Sequence, residues 1–366
     1  MRTRQKINRL SAGLVLGAAM LAAPTAANAG AAGSEKHVVR EGQSIQEAVD
    51  DASPGDTIVV TSGTYHESVV IQKNGISLRA RGNVRLMPPE DGSGLCNSEE
   101  SQEGICVIPA DLTPDFTYTN RVSDVTITGF RVRDFQGDGI LAFGTEDLTV
   151  TRVRATDNTS YGIASFDGLR TTFKHNRASG SEDAGLYVGD SPPNANSVIS
   201  HNLTRDNALG ILLRHTHHVV ATHNRARGNC LGVLLLDDGQ ATGSGENAVL
   251  DNRFTANNEE CPQFVEILGS APAGGGIVAA GSQQNVIAHN LVRSNRGDTP
   301  YSGGIVLVAT PVASEDGSFS ASTHNVVIGN RLRDNRPADI VQDEDSSPNF
   351  IAHNNCRTSR PPGLCR

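Results

Sequence analysis

Residues 201–233 read HNLTRDNALGILLRHTHHVVATHNRARGNCLGV, and this stretch contains one pattern twice. A His-Asn pair stands at position 201 and again at 223, and a Gly-aliphatic pair stands at 210 and again at 232. Both pairs therefore repeat after 22 residues. A repeat of this length cannot bury an apolar core alone, so it indicates a solenoid in which successive units stack.

The same two signals continue along most of the chain. Glycine followed by an aliphatic residue occurs at Gly139, Gly162, Gly185, Gly210, Gly232, Gly276 and Gly304. A first asparagine series comprises Asn176, Asn202, Asn224, Asn252, Asn290, Asn330 and Asn354, and a second comprises Asn207, Asn229, Asn257, Asn295 and Asn335. Short apolar segments separated by Asn and Gly turns are typical of strands. The sequence predicts an all-β protein, a right-handed parallel β-helix, with stacked Asn amides hydrogen-bonded along the axis as a structural feature.

The start of the solenoid carries a helix signal. Ser44 and Glu47 form a capping box, and apolar residues at helical spacing follow over 45–52. We expect this N-terminal α-helix to cover the exposed edge of the first coil. The expected organisation is a single domain over 30–366, with a cap at 38–56, coils at about 57–357 and a tail at 356–366.

The first 29 residues have the features of a secretory signal peptide. A basic start precedes an apolar run that is too short to span a membrane, and Ala27-Asn28-Ala29 follows. Cleavage would remove four positive charges and no acid, so the net charge would change from −9 to −13. We therefore expect a secreted monomer without a membrane span, and the acidic charge argues against nucleic acid as a partner.

Six cysteines follow the predicted signal peptide, and secretion exposes them to an oxidising environment. Fifteen pairings are conceivable. Proximity in sequence favours disulfides within the pairs Cys96 and Cys106, Cys230 and Cys261, and Cys356 and Cys365.

These residues resemble the right-handed β-helix superfamily with the pectin-lyase-like fold. The segment from Ile45 to Gly82 is similar to the opening coils of many members, and the later Gly-Ile and His-Asn coils resemble NosD-type and mannuronan-epimerase-type repeats. The similarity is greatest to secreted β-helix proteins of actinobacteria. The resemblance implies the fold, and known members of the superfamily include polysaccharide lyases, pectin esterases, polygalacturonases, uronate epimerases, phage tailspikes and binding modules. The Asp-Pro-His-Asp motif of the epimerases and the Gly-His-Gly of the polygalacturonases are absent.

Candidate functional residues follow from the register of the repeat. Five residues beyond successive repeat glycines stand Asp167, Asp190, His215 and Asp237, and Arg214 precedes the histidine. One interpretation is a calcium site made by Asp167, Asp190 and Asp237. Another is an acid and base pair that includes His215, with Arg214 neutralising a uronate. The alternative is that these residues have no catalytic or metal-binding role and simply occupy turns.

A second column consists of histidines that precede the ladder asparagines, namely His175, His201, His223, His289 and His353. It suggests a NosD-like copper site, but Asp251 and Gly329 occupy the same position, which favours a tolerant turn. The leading functional prediction is a secreted carbohydrate-active protein, a lyase, hydrolase or epimerase for acidic polysaccharide, with its groove on the Gly-aliphatic strands between residues 160 and 240. The alternative is a non-catalytic protein that binds glycans or cell surfaces.

Overall fold

The computed structural model describes residues 34–92, 96, 101–240, 242–310 and 319–365. The predicted signal peptide at 1–29 lies outside the described residues. Within them the chain winds through successive coils, and each coil adds one short strand to each of three parallel ladders. No described helix is both long enough and apolar enough to cross a bilayer.

Ladder 1 contains the strands that begin at the Gly-aliphatic repeats and forms a sheet of its own. Its strands are Val69–Ile71, Ile105–Val107, Ile140–Phe143, Ile163–Phe166, Ala184–Gly189, Leu209–Arg214, Leu231–Leu236, Gly275–Ala280, Gly303–Val308, Ile340–Gln342 and Ser359–Arg360.

Ladders 2 and 3 belong to one continuous sheet, which begins with the longer strands Lys36–Val39, Thr57–His66 and Ser77–Met87. Ladder 2 then contains Thr126–Thr128, Thr149–Thr151, Thr172–Lys174, Val198–Ser200, Val220–Thr222, Ala248–Leu250, Val286–Ala288, Val326–Ile328 and Phe350–Ala352. Ladder 3 contains Arg131–Arg133, Arg154–Thr156, Arg177–Ser179, Leu203–Arg205, Arg225–Arg227, Arg253–Thr255, Leu291–Arg293 and Arg331–Arg333. Val122–Ser123 pairs separately with Thr145–Glu146.

The interior of the solenoid is a column of aliphatic and aromatic side chains. In ladder 1, Ile163 pairs with Leu186, which pairs with Ile211, so like residues stack from coil to coil. All three are fully buried in the main apolar cluster. This stacking confirms the prediction of an all-β parallel β-helix.

The repeat glycines stand where neighbouring coils approach most closely. A Cβ atom added at Gly210 would overlap the carbonyl oxygen of Gly232 in the next coil, and would also press on Ala226. The glycine is therefore required by packing between coils, which explains its repetition without reference to function.

The asparagine columns form continuous hydrogen-bonded ladders inside the turns. The Asn224 backbone N–H donates to the side-chain oxygen of Asn252 (2.8 Å), and the Asn252 N–H donates to that of Asn290 (2.9 Å). A third column, which the sequence did not single out, runs through Asn247 and Asn285. Each amide satisfies buried backbone groups that would otherwise lack partners.

The N-terminal coil is covered by an α-helix at Ile45–Asp51. The Ser44 hydroxyl accepts a hydrogen bond from the Glu47 N–H (3.2 Å), and Ile45 and Val49 are buried in the main core. The three disulfides join Cys96 to Cys106, Cys230 to Cys261, and Cys356 to Cys365. These are the pairings that proximity in sequence favours.

The outward face of ladder 1 is a second apolar surface. Its side chains, among them Leu212 and Leu234, join an apolar cluster with Phe264 and Leu268 from an inserted segment. That segment contains a 3₁₀ helix at Pro262–Phe264 and a short α-helix at Val265–Leu268. The groove predicted on this face between residues 160 and 240 is therefore wrong, because all residues of strands 184–189, 209–214 and 231–236 are buried.

Candidate active site

The backbone places Asp167, Asp190, His215 and Asp237 at equivalent positions of successive coils, as the register of the repeat predicts. The preceding residues Phe166, Gly189, Arg214 and Leu236 are paired strand to strand, and the Asp190 N–H donates to the carbonyl oxygen of Arg214. Asp167, Asp190 and His215 have left-handed φ values of 47°, 48° and 46°. Turn geometry thus explains why Asp occurs here, since Asp tolerates this conformation better than most residues.

The side chains of the column do not converge on one point. Asp167 accepts hydrogen bonds from the Tyr118 hydroxyl (2.5 Å) and from Arg121 (2.7 Å). Asp237 accepts one from the Gly239 N–H in its own loop (3.0 Å). The structure therefore does not bring Asp167, Asp190 and Asp237 together as calcium ligands, because each carboxylate is directed to a different partner.

Asp190 and His215 do meet, and they form a buried charge cluster with Asp238 and Arg214. The imidazole Nδ1 lies 2.8 Å from the Asp190 carboxylate, and Nε2 contacts the Asp238 carboxylate. Arg214 donates to Asp238 through Nη2 (2.7 Å) and Nε (3.2 Å). The side chain of His215 is fully buried, whereas that of Asp190 is 21% exposed. With His215 protonated, the two positive charges of Arg214 and His215 balance the two negative charges of Asp190 and Asp238.

Tyr187 completes the cluster from the outward face of ladder 1. Its hydroxyl donates a hydrogen bond to Asp190 (2.8 Å), and its ring packs against Tyr161 (4.7 Å) and Phe166 (4.5 Å). Neither Tyr187 nor Asp238 was a candidate from sequence. Their signals were present, because Tyr187 is outward in the strand before Asp190 and Asp238 follows Asp237 directly.

Burial and charge set the protonation states in the cluster. Burial disfavours the ionised form of each acid, but hydrogen bonding with His215 and the charge of Arg214 outweigh it and lower the pKa of Asp190 and of Asp238. Burial likewise opposes the protonated form of His215, but the two carboxylates outweigh it and raise the pKa of the imidazole. Burial also raises the pKa of Tyr187. Both acids are ionised at neutral pH, and Tyr187 carries its proton.

Arg214 has hydrogen-bonding capacity left over. Its Nη1 is buried without a hydrogen-bond partner among the described residues, and the nearest acid, Asp190, lies 3.9 Å away. A guanidinium N–H group without a partner can donate a hydrogen bond to one oxygen of a further carboxylate. The cluster therefore combines a guanidinium group with a phenol and an imidazole.

The histidine column lies elsewhere, on the turn after ladder 2. His175, His201 and His223 have left-handed backbones like Asp251, which supports the turn interpretation. The rings of His201 and His223 are stacked in parallel with centroids 4.9 Å apart. Among the described residues no group of three or more His, Cys, Asp or Glu is arranged to hold a metal ion, so the copper interpretation gains no support.

The three ladders, the stacked interior and the turn columns define a parallel β-helix protein. The chain belongs to the right-handed β-helix family, whose model, described as right handed beta helix region, matches residues 96–243 and 192–312. No curated protein matches the chain.

Solved structures of similar fold include enzymes that modify carbohydrates. The A-module of mannuronan C-5 epimerase AlgE4 from Azotobacter vinelandii is 16% identical with a TM-score of 0.56, over 85% of this chain and 90% of that one. The AlgE6 A-module of the same organism is 14% identical with a TM-score of 0.58, over 86% and 92%. DFA-IIIase from Arthrobacter chlorophenolicus A6 is 15% identical with a TM-score of 0.55, over 84% and 77%. At such identities the similarity establishes the fold alone.

Proposed function

We propose that the protein acts on an acidic polysaccharide, and that the charge cluster moves the proton next to a uronate carboxyl group, as in elimination or epimerisation. The observation that carries the proposal is the Nη1 of Arg214, which is buried without a hydrogen-bond partner among the described residues. Asp190, which accepts from Tyr187 and is 21% exposed, is the part of the cluster that reaches solvent, so the proposal requires the uronate to enter beside Asp190. A cation bound to the uronate carboxylate makes the adjacent C–H bond more acidic, because it stabilises the negative charge that develops when the proton leaves.

The other members of the cluster supply the proton transfers. Tyr187 takes the sugar proton and passes its own proton to Asp190, to which its hydroxyl is already hydrogen-bonded. In elimination the proton held on Asp190 returns through Tyr187 to the leaving oxygen. His215, whose two ring nitrogens contact Asp190 and Asp238, holds Asp190 in position. Proton abstraction fits better than hydrolysis, because a glycosidase needs one carboxyl with a raised pKa. Both carboxyls here have a lowered pKa.

The location that fits this function is outside the cell. The proposed signal peptide at 1–29 would direct export, and the solenoid of 30–366 would then act as a single domain. The three disulfides support an oxidising compartment. The matched folds of the mannuronan epimerase modules support a uronate polymer as the substrate class.

Tyr187→Phe is expected to lower the rate of solvent deuterium incorporation into a polyuronate by roughly 100-fold or more, since it removes the proton carrier. The assay incubates the protein in D₂O with mannuronan, polygalacturonate or glucuronan, and follows the polymer by NMR and by the ultraviolet absorbance of unsaturated ends. Tyr161→Phe is the matched control, because its ring packs against Tyr187 and no hydrogen bond joins it to Asp190. Equal rates for the two variants would contradict the assignment.

A second candidate function is non-catalytic glycan binding. The complete burial of His215 and Tyr187 favours it, because neither group reaches solvent in this conformation. If the protein incorporates no deuterium into any polymer of the panel but binds one of them, the cluster is structural and binding is the function.

A further inference from the structure

The outward positions of ladder 3 carry two columns of arginine. In the first column the arginines are Arg131, Arg154, Arg177, Arg225, Arg253 and Arg331, interrupted by leucine. In the second they are Arg133, Arg205, Arg227, Arg293 and Arg333, interrupted by threonine and serine. Members of a column in adjacent coils are separated by the strand spacing of about 4.8 Å. We call this surface the arginine face.

Much of the charge on the arginine face is not neutralised. Within the described parts of the chain, ion pairs involve Arg133 and Arg205, which contact acids at the edge of the face. Arg154, Arg177 and Arg225, at the centre, make no ion pair among the described residues and are exposed. Like charges aligned across a sheet repel one another. An acidic protein of net charge −9 therefore presents one face of concentrated positive charge.

Two adjoining grooves lie on the arginine face. A groove with a volume of about 590 Å³ runs along it between Arg154 and Arg253. A shallower groove of about 390 Å³ adjoins it, shares Arg177 and Arg225, and is lined on its other side by the stacked histidines that begin at His175. The combined surface follows the axis of the solenoid and offers guanidinium groups at each step.

We propose that the arginine face is a binding site for a linear acidic polysaccharide that lies parallel to the solenoid axis. Guanidinium groups bind carboxylate and sulfate oxygens in a bidentate manner. The coil spacing is similar to the length of one sugar unit in an extended chain, so successive anionic sugars meet successive arginines. Binding of the polymer offsets the repulsion within each column.

Nucleic acid fits the arginine face less well. Proteins that bind single strands stack the bases on aromatic side chains. No Phe, Tyr or Trp lines the main groove, and in the adjoining groove the rings of His201 and His223 already stack on each other. The phosphates of a duplex wind around their own axis, whereas the arginines form straight columns. The face also lies on ladder 3, away from the charge cluster at the end of ladder 1, so it is independent of the proposed catalysis.

The test compares two double variants that change the net charge equally. Arg177→Gln with Arg225→Gln removes central charges of the face, while Arg79→Gln with Arg81→Gln removes exposed charges from strand Ser77–Met87. Binding of polygalacturonate, hyaluronan, heparin, neutral dextran, and single- and double-stranded DNA is measured by calorimetry at several salt concentrations. Thermal unfolding verifies that both variants are folded.

We expect one or more acidic polysaccharides to bind, with an affinity that falls as salt rises, while dextran does not bind. The Arg177 and Arg225 double variant should bind roughly tenfold more weakly, and the Arg79 and Arg81 double variant should bind like the unmodified protein. The proposal is overturned if no acidic polysaccharide binds, if DNA binds more tightly than every polysaccharide, or if the two double variants lose affinity equally. The calorimetric comparison of the two double variants does not depend on turnover, so failure of the catalytic proposal is recognised separately in the deuterium assay.

Discussion

Replacing Asn252 by alanine is expected to lower the free energy of unfolding by roughly 3–6 kcal/mol, because several buried hydrogen bonds end on this one amide. The Asn252 oxygen accepts from the N–H (2.8 Å) and from the side-chain amide (3.1 Å) of Asn224. The Asn252 amide nitrogen donates to the carbonyl oxygen of Ala221 (2.8 Å). Alanine removes these three hydrogen bonds, and the backbone N–H of Asn224 loses its acceptor at a position where Asn252 is only 2% exposed.

The adjacent residue provides the control for this prediction. Asp251 is exposed, has a left-handed φ of 55°, and is the residue immediately before Asn252. Asn tolerates this backbone conformation as well as Asp does, so Asp251→Asn is expected to change stability by no more than about 0.5 kcal/mol. Urea unfolding followed by circular dichroism measures both variants. If Asn252→Ala lost no more stability than Asp251→Asn, the hydrogen bonds of the asparagine columns would contribute little to stability.

The register of the solenoid was predictable because stacking requires like residues at like positions. The Gly-aliphatic and Asn series therefore predicted the strand order and the column from Asp167 to Asp237. The directions of the side chains beyond the strand ends were not predictable. They depend on loops whose course the repeat does not determine, such as the segment that brings Tyr118 and Arg121 to Asp167. Asp238, one residue outside the column, thus replaces Asp237 beside His215.

The arginine face was missed for a different reason. Net charge sums over the whole surface, so an acidic total conceals a local positive region. The Arg-x-Arg triplet at 225–227 and its relatives, for example at 331–333, were visible in the sequence. Their significance appears only when ladder 3 pairs Arg154 with Arg177 and Arg225 with Arg253.

Arg214→Met is expected to lower the free energy of unfolding by about 3–5 kcal/mol, because it leaves two largely buried carboxylates with a single cation. Asp238 loses its hydrogen bonds from the guanidinium, and the side chain of Arg214 is only 6% exposed, so water does not replace them. Arg170→Met is the matched control. That arginine pairs with Glu146 and Asp147 on the surface and is 46% exposed, so its loss should cost less than about 1 kcal/mol. Equal losses would mean that the cluster is hydrated and contributes no more than a surface ion pair.

The charge cluster also determines how stability varies with pH. Burial opposes protonation of His215, but Asp190 and Asp238 together raise its pKa. The contribution of His215 to stability is therefore fully present below its unfolded value of about 6.5 and is lost as the pH rises through the higher folded value. Asp190 and Asp238 have lowered pKa values, so their contribution is present above about pH 4 and is lost as the pH falls through their folded values.

Asp238→Asn removes one of the two carboxylates that favour the imidazolium and so lowers the folded pKa of His215. The alkaline decline in stability should therefore be smaller, and should end at a lower pH, in this variant than in the unmodified protein. Urea unfolding at pH values between about 6 and 9 measures the difference. Asp237→Asn is the neighbouring control, because Asp237 bonds to Gly239 and not to His215. If Asp238→Asn and Asp237→Asn gave the same pH profile, Asp238 would not set the charge of His215. The protonation states on which the proposed proton transfer depends would then have to be assigned anew.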